Sequence, residues 1–153
     1  MVSVFSSLRQ SFKGLLVLVP VLIGLAFISP AEAVQWDAET LTVPVNPDGA
    51  EVTFTDREIN AGRKVFNTSC GTCHAGGITK TNQNVGLDPE TLALATPARD
   101  NVDALVDYMK DPTSYDGEYS ISDVHPSMRS AELYPAMRDL DDEDLRLMAG
   151  YIL

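Results

Sequence analysis

Cys70-Gly71-Thr72-Cys73-His74 decides how this chain is read, because two thiols three positions apart with an imidazole directly behind them form the attachment signature of a c-type haem. Both thiols add to the vinyl groups of the porphyrin and the histidine reaches the iron, so five residues supply a complete one-site chemistry. These are the only two cysteines in 153 residues. A zinc site would have to recruit Cys70, Cys73, His74 and the one other histidine, His125, yet the neighbours Cys73 and His74 are badly placed to share a small tetrahedral ion. A thioredoxin-like redox pair requires a βαβ context, which the flanking sequence does not offer.

Upstream of the motif, Thr55-Asp56-Arg57-Glu58 is a capping box that opens a helix through Ile59, Ala61, Val65 and Phe66 and leads into the cysteines. Before it, Leu41, Val43 and Val45 alternate with small or polar neighbours, Asn46-Pro47-Asp48-Gly49 is turn chemistry, and Val52 and Phe54 alternate again, so a short N-terminal β-hairpin is expected. Downstream, Gly76-Gly77 breaks the helix. Asp88-Pro89-Glu90 starts a short helix carrying Leu92 and Leu94 and ending near Pro97. Asp100 or Asn101 caps the next helix, with Val102, Leu105, Val106 and Met109 at helical spacing and Pro112 as its stop. From Thr113 to Tyr134 the residues are mostly polar and read as one long loop, a length that in a compact domain points to function. Asp141 to Asp144 give the acidic first turn of a last helix striped by Leu145, Met148, Ala149 and Ile152. The elements expected are thus helices around the haem motif, preceded by a short β-hairpin.

The N-terminus indicates where the haem is fitted. Arg9 and Lys13 form a basic region, Gly14 to Ile28 is an apolar run, and Ala31-Glu32-Ala33 is a small-residue cleavage site, so residues 1–33 read as a signal peptide and 34–153 as a single cytochrome c domain. An uncleaved anchor would need about 20 apolar residues. This run is shorter and contains Pro20. Export to a periplasm or thylakoid lumen agrees with the haem motif. The whole chain has eleven basic and twenty-two acidic residues; residues 1–33 hold Arg9, Lys13 and Glu32, which leaves nine against twenty-one and a net charge of −12. Such a charge argues against nucleic acid as a partner and suits steering toward basic protein surfaces. A domain of 120 residues that packs on a porphyrin should also gain much of its stability from it.

His74 supplies one axial nitrogen, and the second ligand sets the chemistry. The candidates are His125 and the methionines Met109, Met128, Met137 and Met148. Met109 and Met148 fall on apolar helix stripes and read as core. Met137 lies in a loop just before the last helix, where a methionine ligand is common in small cytochromes c. His125 lies in the long loop and is stiffened by Pro126. Imidazole chemistry favours His125 over Met137, and the difference matters because methionine raises the potential whereas a second histidine lowers it. Two ligands of either kind close the iron to substrate, which argues against an enzyme.

Beyond the haem motif, four further segments carry a resemblance: Gly76-Gly77-Ile78-Thr79-Lys80-Thr81-Asn82, Glu90 to Pro97, Leu105-Val106-Asp107-Tyr108-Met109-Lys110, and Val124-His125-Pro126-Ser127. With them the chain from about Leu41 onward resembles the extrinsic low-potential cytochrome c family of photosystem II. The resemblance implies an all-α fold, a cytochrome c-like haem domain with a short N-terminal β-hairpin, and one haem c bonded covalently to Cys70 and Cys73, with His74 and His125 as the axial iron ligands. It also implies docking on the lumenal face of the photosystem II core beside the other extrinsic subunits, peripheral to the thylakoid membrane, where the protein stabilises the oxygen-evolving complex. The alternative is a mobile one-electron carrier of the lumen or periplasm. Family members usually continue in a C-terminal tail, whereas this sequence stops at Leu153.

Overall fold

The structure, a computed structural model, describes residues 36–153. The expected signal peptide lies outside the described residues. The chain enters through two three-residue strands, β1 (Thr42–Pro44) and β2 (Glu51–Thr53), paired antiparallel with Val43 opposite Val52. The pairing continues in register beyond both strands, the Val45 N–H donating to the Ala50 carbonyl at 2.7 Å and the Phe54 N–H to the Leu41 carbonyl at 2.9 Å, so the hairpin spans the alternation from Leu41 to Phe54. Its turn is built by Asn46, whose Oδ1 accepts from the Asp48 N–H at 3.1 Å, and by Gly49 at φ +86°. Two strands alone are marginal in water. This pair is held because Val43 and Phe54 are buried in the core and the Val45 carbonyl accepts from the Asp103 N–H at 2.9 Å.

Helix α1 (Asp56–Ser69) begins at the expected capping box, and Cys70 is at once its C-cap and the start of a single helical turn, α2 (Gly71–His74). A 3₁₀ turn over Ala75–Gly77 follows, in which Gly76 adopts φ +72° and the chain reverses. Helix α3 (Pro89–Ala93) has Asp88 accepting from the Thr91 N–H, and α4 (Val102–Lys110) is capped by Asn101, not Asp100, through the Ala104 N–H. Helix α5 (Asp142–Ile152) opens on a second capping box, between Asp141 and Asp144, which the acidic run conceals. The 113–134 segment forms no helix or strand but is far from structureless. It is closed by a bridge between Thr113 and Ser120, and Met128 and Arg129 donate their N–H groups to the Met109 and Lys110 carbonyls at the end of α4. Buried Ser127 and Ser130 are hydrogen-bonded to each other at 2.8 Å.

Helices α1 and α5 form the main helix pairing, with α4 also packed against α5. The core they enclose contains Phe54, Phe66, Leu105, Met109, Met137, Leu145 and Met148. Two glycines let the elements approach. A Cβ on Gly62 would run into the backbone of Leu147, and one on Gly150 would meet the Phe54 ring at 2.5 Å.

The α1–α5 pair is also tied by charge. The Glu58 carboxylate accepts from the Thr55 N–H at 2.9 Å and from Arg146 Nη2 at 2.8 Å, while Arg146 also grips Glu143. The Thr55 backbone hydrogen bond first, then Arg146, push the Glu58 pKa down to about 2. A depressed carboxylate contributes stability that is fully present above its unfolded value of 4.5 and is lost as pH falls toward 2. Because the side chain is 34% exposed, solvent screening reduces the ion-pair part to a fraction of what the shift alone implies. Glu58→Gln should cost about 1 kcal/mol at pH 7, summing cap and ion pair. In denaturant unfolding of the holoprotein, the difference from the parent should shrink progressively below pH 4.5; a constant difference down to pH 2 would contradict this assignment.

Candidate functional site

The end of α1 delivers the motif to the mouth of a cleft of about 530 Å³. Its walls are largely apolar, with Phe66, Leu92, Leu105, Met109, Ile121 and Ile152 among them, and its rim is polar, with Thr79, Thr81, Asn82 and Asp116. A large cleft of this character is the ordinary form of a cofactor site. Cys70 is half-buried on its wall and Cys73 is exposed; the two are not joined to each other. Burial first, and the neighbouring Cys73 second, push the Cys70 thiol up to about 11, so it stays a neutral thiol at ordinary pH. Among the described residues no three His, Cys, Asp or Glu side chains converge on a metal-binding point.

His74 and His125 both line the cleft, and their ring centroids lie 6.2 Å apart with planes inclined at 57°. His74 Nδ1 is 3.1 Å from the Thr79 hydroxyl, which leaves Nε2 as its uncommitted nitrogen. The backbone around it is clamped: the Lys80 N–H donates to the Cys73 carbonyl at 2.9 Å, and Lys80 Nζ to the Thr72 carbonyl at 2.6 Å. His125 arrives from the long loop. Its N–H donates to the Ile121 carbonyl at 2.9 Å, its carbonyl accepts from Ser130 Oγ at 3.1 Å, and the edge-on ring of Tyr108 fixes its plane at a centroid distance of 5.2 Å. Burial, and then the proximity of His74, push the His125 pKa down to about 4; burial lowers that of His74 as well. Both rings are therefore neutral near pH 7, the form that ligates metals.

These residues fit a haem. His125 Nδ1 is buried without a hydrogen-bond partner, which is costly unless a group outside the chain engages the imidazole. The 6.2 Å between ring centroids leaves room for one metal ion bonded to a nitrogen of each ring at about 2 Å. The apolar walls and polar rim suit a porphyrin, whose faces are apolar and whose propionates are charged.

The methionines sort differently. Met137 is 1% exposed in the core and is not on the cleft wall, and Met148 is fully buried. Met128 packs against the core from the long loop. Met109, expected as plain core, is buried and also forms part of the cleft wall. Arg99 and Tyr108 on the same cleft escaped the sequence reading. Arg99 looks like any arginine before a helix cap, and Tyr108 like one residue of an amphipathic stripe, so neither carries a local signal.

A small helical domain in which a Cys-x-x-Cys-His turn closes a deep apolar cleft is a cytochrome c-type haem domain. Within that class the chain belongs to the cytochrome c-550 family, whose domain matches residues 34–153. It is 87% identical over its whole length to photosystem II extrinsic protein V of Synechococcus sp. (strain CC9605), and 84% identical to the protein of that name from Parasynechococcus marenigrum (strain WH8102). In each case it covers 90% of the relative's length. Among solved structures it resembles the crystal structure of cytochrome c549, with 50% identity and a TM-score of 0.75, over 77% of this chain and 92% of that one.

Proposed function

We propose that this chain is a haem-binding extrinsic subunit of photosystem II, peripheral on the lumenal side of the thylakoid membrane, that stabilises the oxygen-evolving complex and is not itself an enzyme. Residues 1–33 direct export and are removed, leaving 34–153 as one cytochrome c domain. Cys70 and Cys73 would bond one haem c covalently, and His74 and His125 would hold its iron. The observation that carries the haem assignment is the pair of neutral imidazoles facing each other at 6.2 Å across the cleft. The partner and the location rest on the names of the 87% and 84% identical relatives.

When bound, the haem supplies a one-electron couple whose potential two imidazoles keep low. The chain's own residues do the rest. Thr79 engages His74 Nδ1 and so selects Nε2 for the cleft, as hydrogen-bond partners of ligating histidines do in other metal sites. Tyr108 and the Ile121 and Ser130 hydrogen bonds orient His125 from the opposite side. Phe66, Leu92 and Leu105 exclude water from the cleft. Enclosure by a histidine on each side leaves no open coordination position for a substrate, and the acidic surface suits docking on a basic lumenal face.

The proposal is tested by washing extrinsic proteins from photosystem II membranes and measuring oxygen evolution at limiting calcium or chloride. Activity should fall on washing and recover on adding back the mature holoprotein. Failure to bind the washed membranes, or binding without recovery, would remove the accessory role. Equal recovery with a variant of altered potential would show that the haem contributes structure there and not electron transfer.

A further inference from the structure

Arg99 is 8% exposed, yet among the described residues it forms no ion pair. Its Nη2 donates to the carbonyls of Thr113 at 3.1 Å and Ser114 at 2.8 Å, and its guanidinium carbon sits 3.9 Å from the centre of the Tyr108 ring. Tyr108 in turn meets the His125 ring edge-on at 5.2 Å. The two steps put the cation within about 9 Å of the His125 ring, on the wall of the same cleft. Arg99 precedes α4, whereas Thr113 and Ser114 begin the loop that carries His125, so one side chain fastens that loop to the start of α4. The nearest acidic residue on the cleft wall, Asp116, is engaged by the Ser114 hydroxyl and the Glu118 N–H and does not pair with the guanidinium.

A buried cation without a carboxylate is expensive to keep. The arrangement supplies two returns. The planar guanidinium, face-on to Tyr108 while its Nη2 donates to both carbonyls, holds the loop and the ring that orient His125, a combination that lysine's point charge does not reproduce. The charge itself disfavours whichever state of the site is more positive. The oxidised iron carries one more positive charge than the reduced iron, so a fixed cation nearby shifts the balance toward reduction.

We infer that Arg99 is a positioning residue for His125 and also the fixed charge that raises the potential of an otherwise low-potential bis-histidine site. The inference rests on His125 being an axial ligand. Taking the separation of about 9 Å from the His125 ring as the scale of the interaction, a unit charge at an effective dielectric of about 20 changes the ratio of reduced to oxidised protein by on the order of tenfold. For a one-electron couple a tenfold change is about 59 mV.

Three holoprotein variants test it by redox titration, visible spectrum and the rate of carbon monoxide uptake by the reduced protein. Arg99→Gln loses both the charge and the guanidinium that reaches the carbonyls and stacks on Tyr108, so its midpoint should fall and carbon monoxide should displace His125 faster. Arg99→Lys keeps the charge and loses the planar guanidinium, so its midpoint should stay near the parent's while carbon monoxide displaces His125 faster. Arg99→Met should show both effects; if it does not accumulate, the other two still decide. An unchanged or raised midpoint in Arg99→Gln would overturn the electrostatic part. Carbon monoxide uptake as slow in Arg99→Lys as in the parent would overturn the positioning part. His125→Met, measured alongside, separates the two levels: no spectral or redox change there removes the axial assignment, whereas a change there with silent Arg99 variants removes only this inference.

Discussion

Replacing His125 by methionine should raise the midpoint potential by on the order of 100 mV, a modest part of the ~0.8 V range over which axial ligands move haem potentials. The imidazole favours the oxidised iron, and a thioether favours the reduced one. His125 is the residue on which this change should act, because its ring lies 6.2 Å from that of His74 on the wall of the same cleft. Covalent attachment should survive, since Cys70 and Cys73 lie on the opposite segment at the end of α1. If the shorter reach of methionine leaves the iron open, the reduced protein should bind carbon monoxide readily, which the parent should not. Met137→Leu is the control: buried in the core away from the cleft, it should leave spectrum and potential unchanged. A His125→Met protein with the parent's potential and spectrum would exclude His125 from the site, and a loss of low-spin character in Met137→Leu would point to the rival ligand.

Gly62→Ala should destabilise the holoprotein by about 3 kcal/mol, near the upper end of what overpacking a well-fitted contact costs. On an exposed helix the same change would stabilise by about 1 kcal/mol, because alanine is the better helix former. Here the added methyl points into the Leu147 carbonyl, and backbone cannot rotate away as a side chain does. Helices α1 and α5 would have to separate, disturbing the buried Phe66, Leu145 and Met148 that fill their interface. At about 4 °C per kcal/mol for a domain of this size, thermal unfolding should shift down by about 12 °C. A midpoint equal to or above the parent's would show that the helices are not held at that distance. Gly150→Ala should cost less, because the Phe54 ring it meets is a side chain with some freedom to yield.

Much of the architecture could be read from local chemistry. The capping box at Thr55 and Glu58, the Asp88-Pro89 start of α3 and the positive-φ glycines after the motif are each decided within a few residues, so their sequence signals carried through to the structure. Other details escaped for reasons equally physical. The 113–134 segment appeared shapeless since its order comes from serine side chains, one isolated bridge and hydrogen bonds to the end of α4, none of which has a repeat.

The cleft divides along the same line. A five-residue spacing announced haem chemistry, because attachment needs only neighbours in the chain. Facing His74 with His125 requires segments 51 positions apart to meet, and hydropathy patterning holds no information on which of several loop residues will arrive. Packing settles that: Met137 is drawn into the core under α5, while Pro126, Ser130 and Tyr108 turn His125 toward the cleft. Arg99 and Gly62 are the extreme cases, since a buried cation and a close helix contact exist only once distant backbone surrounds them.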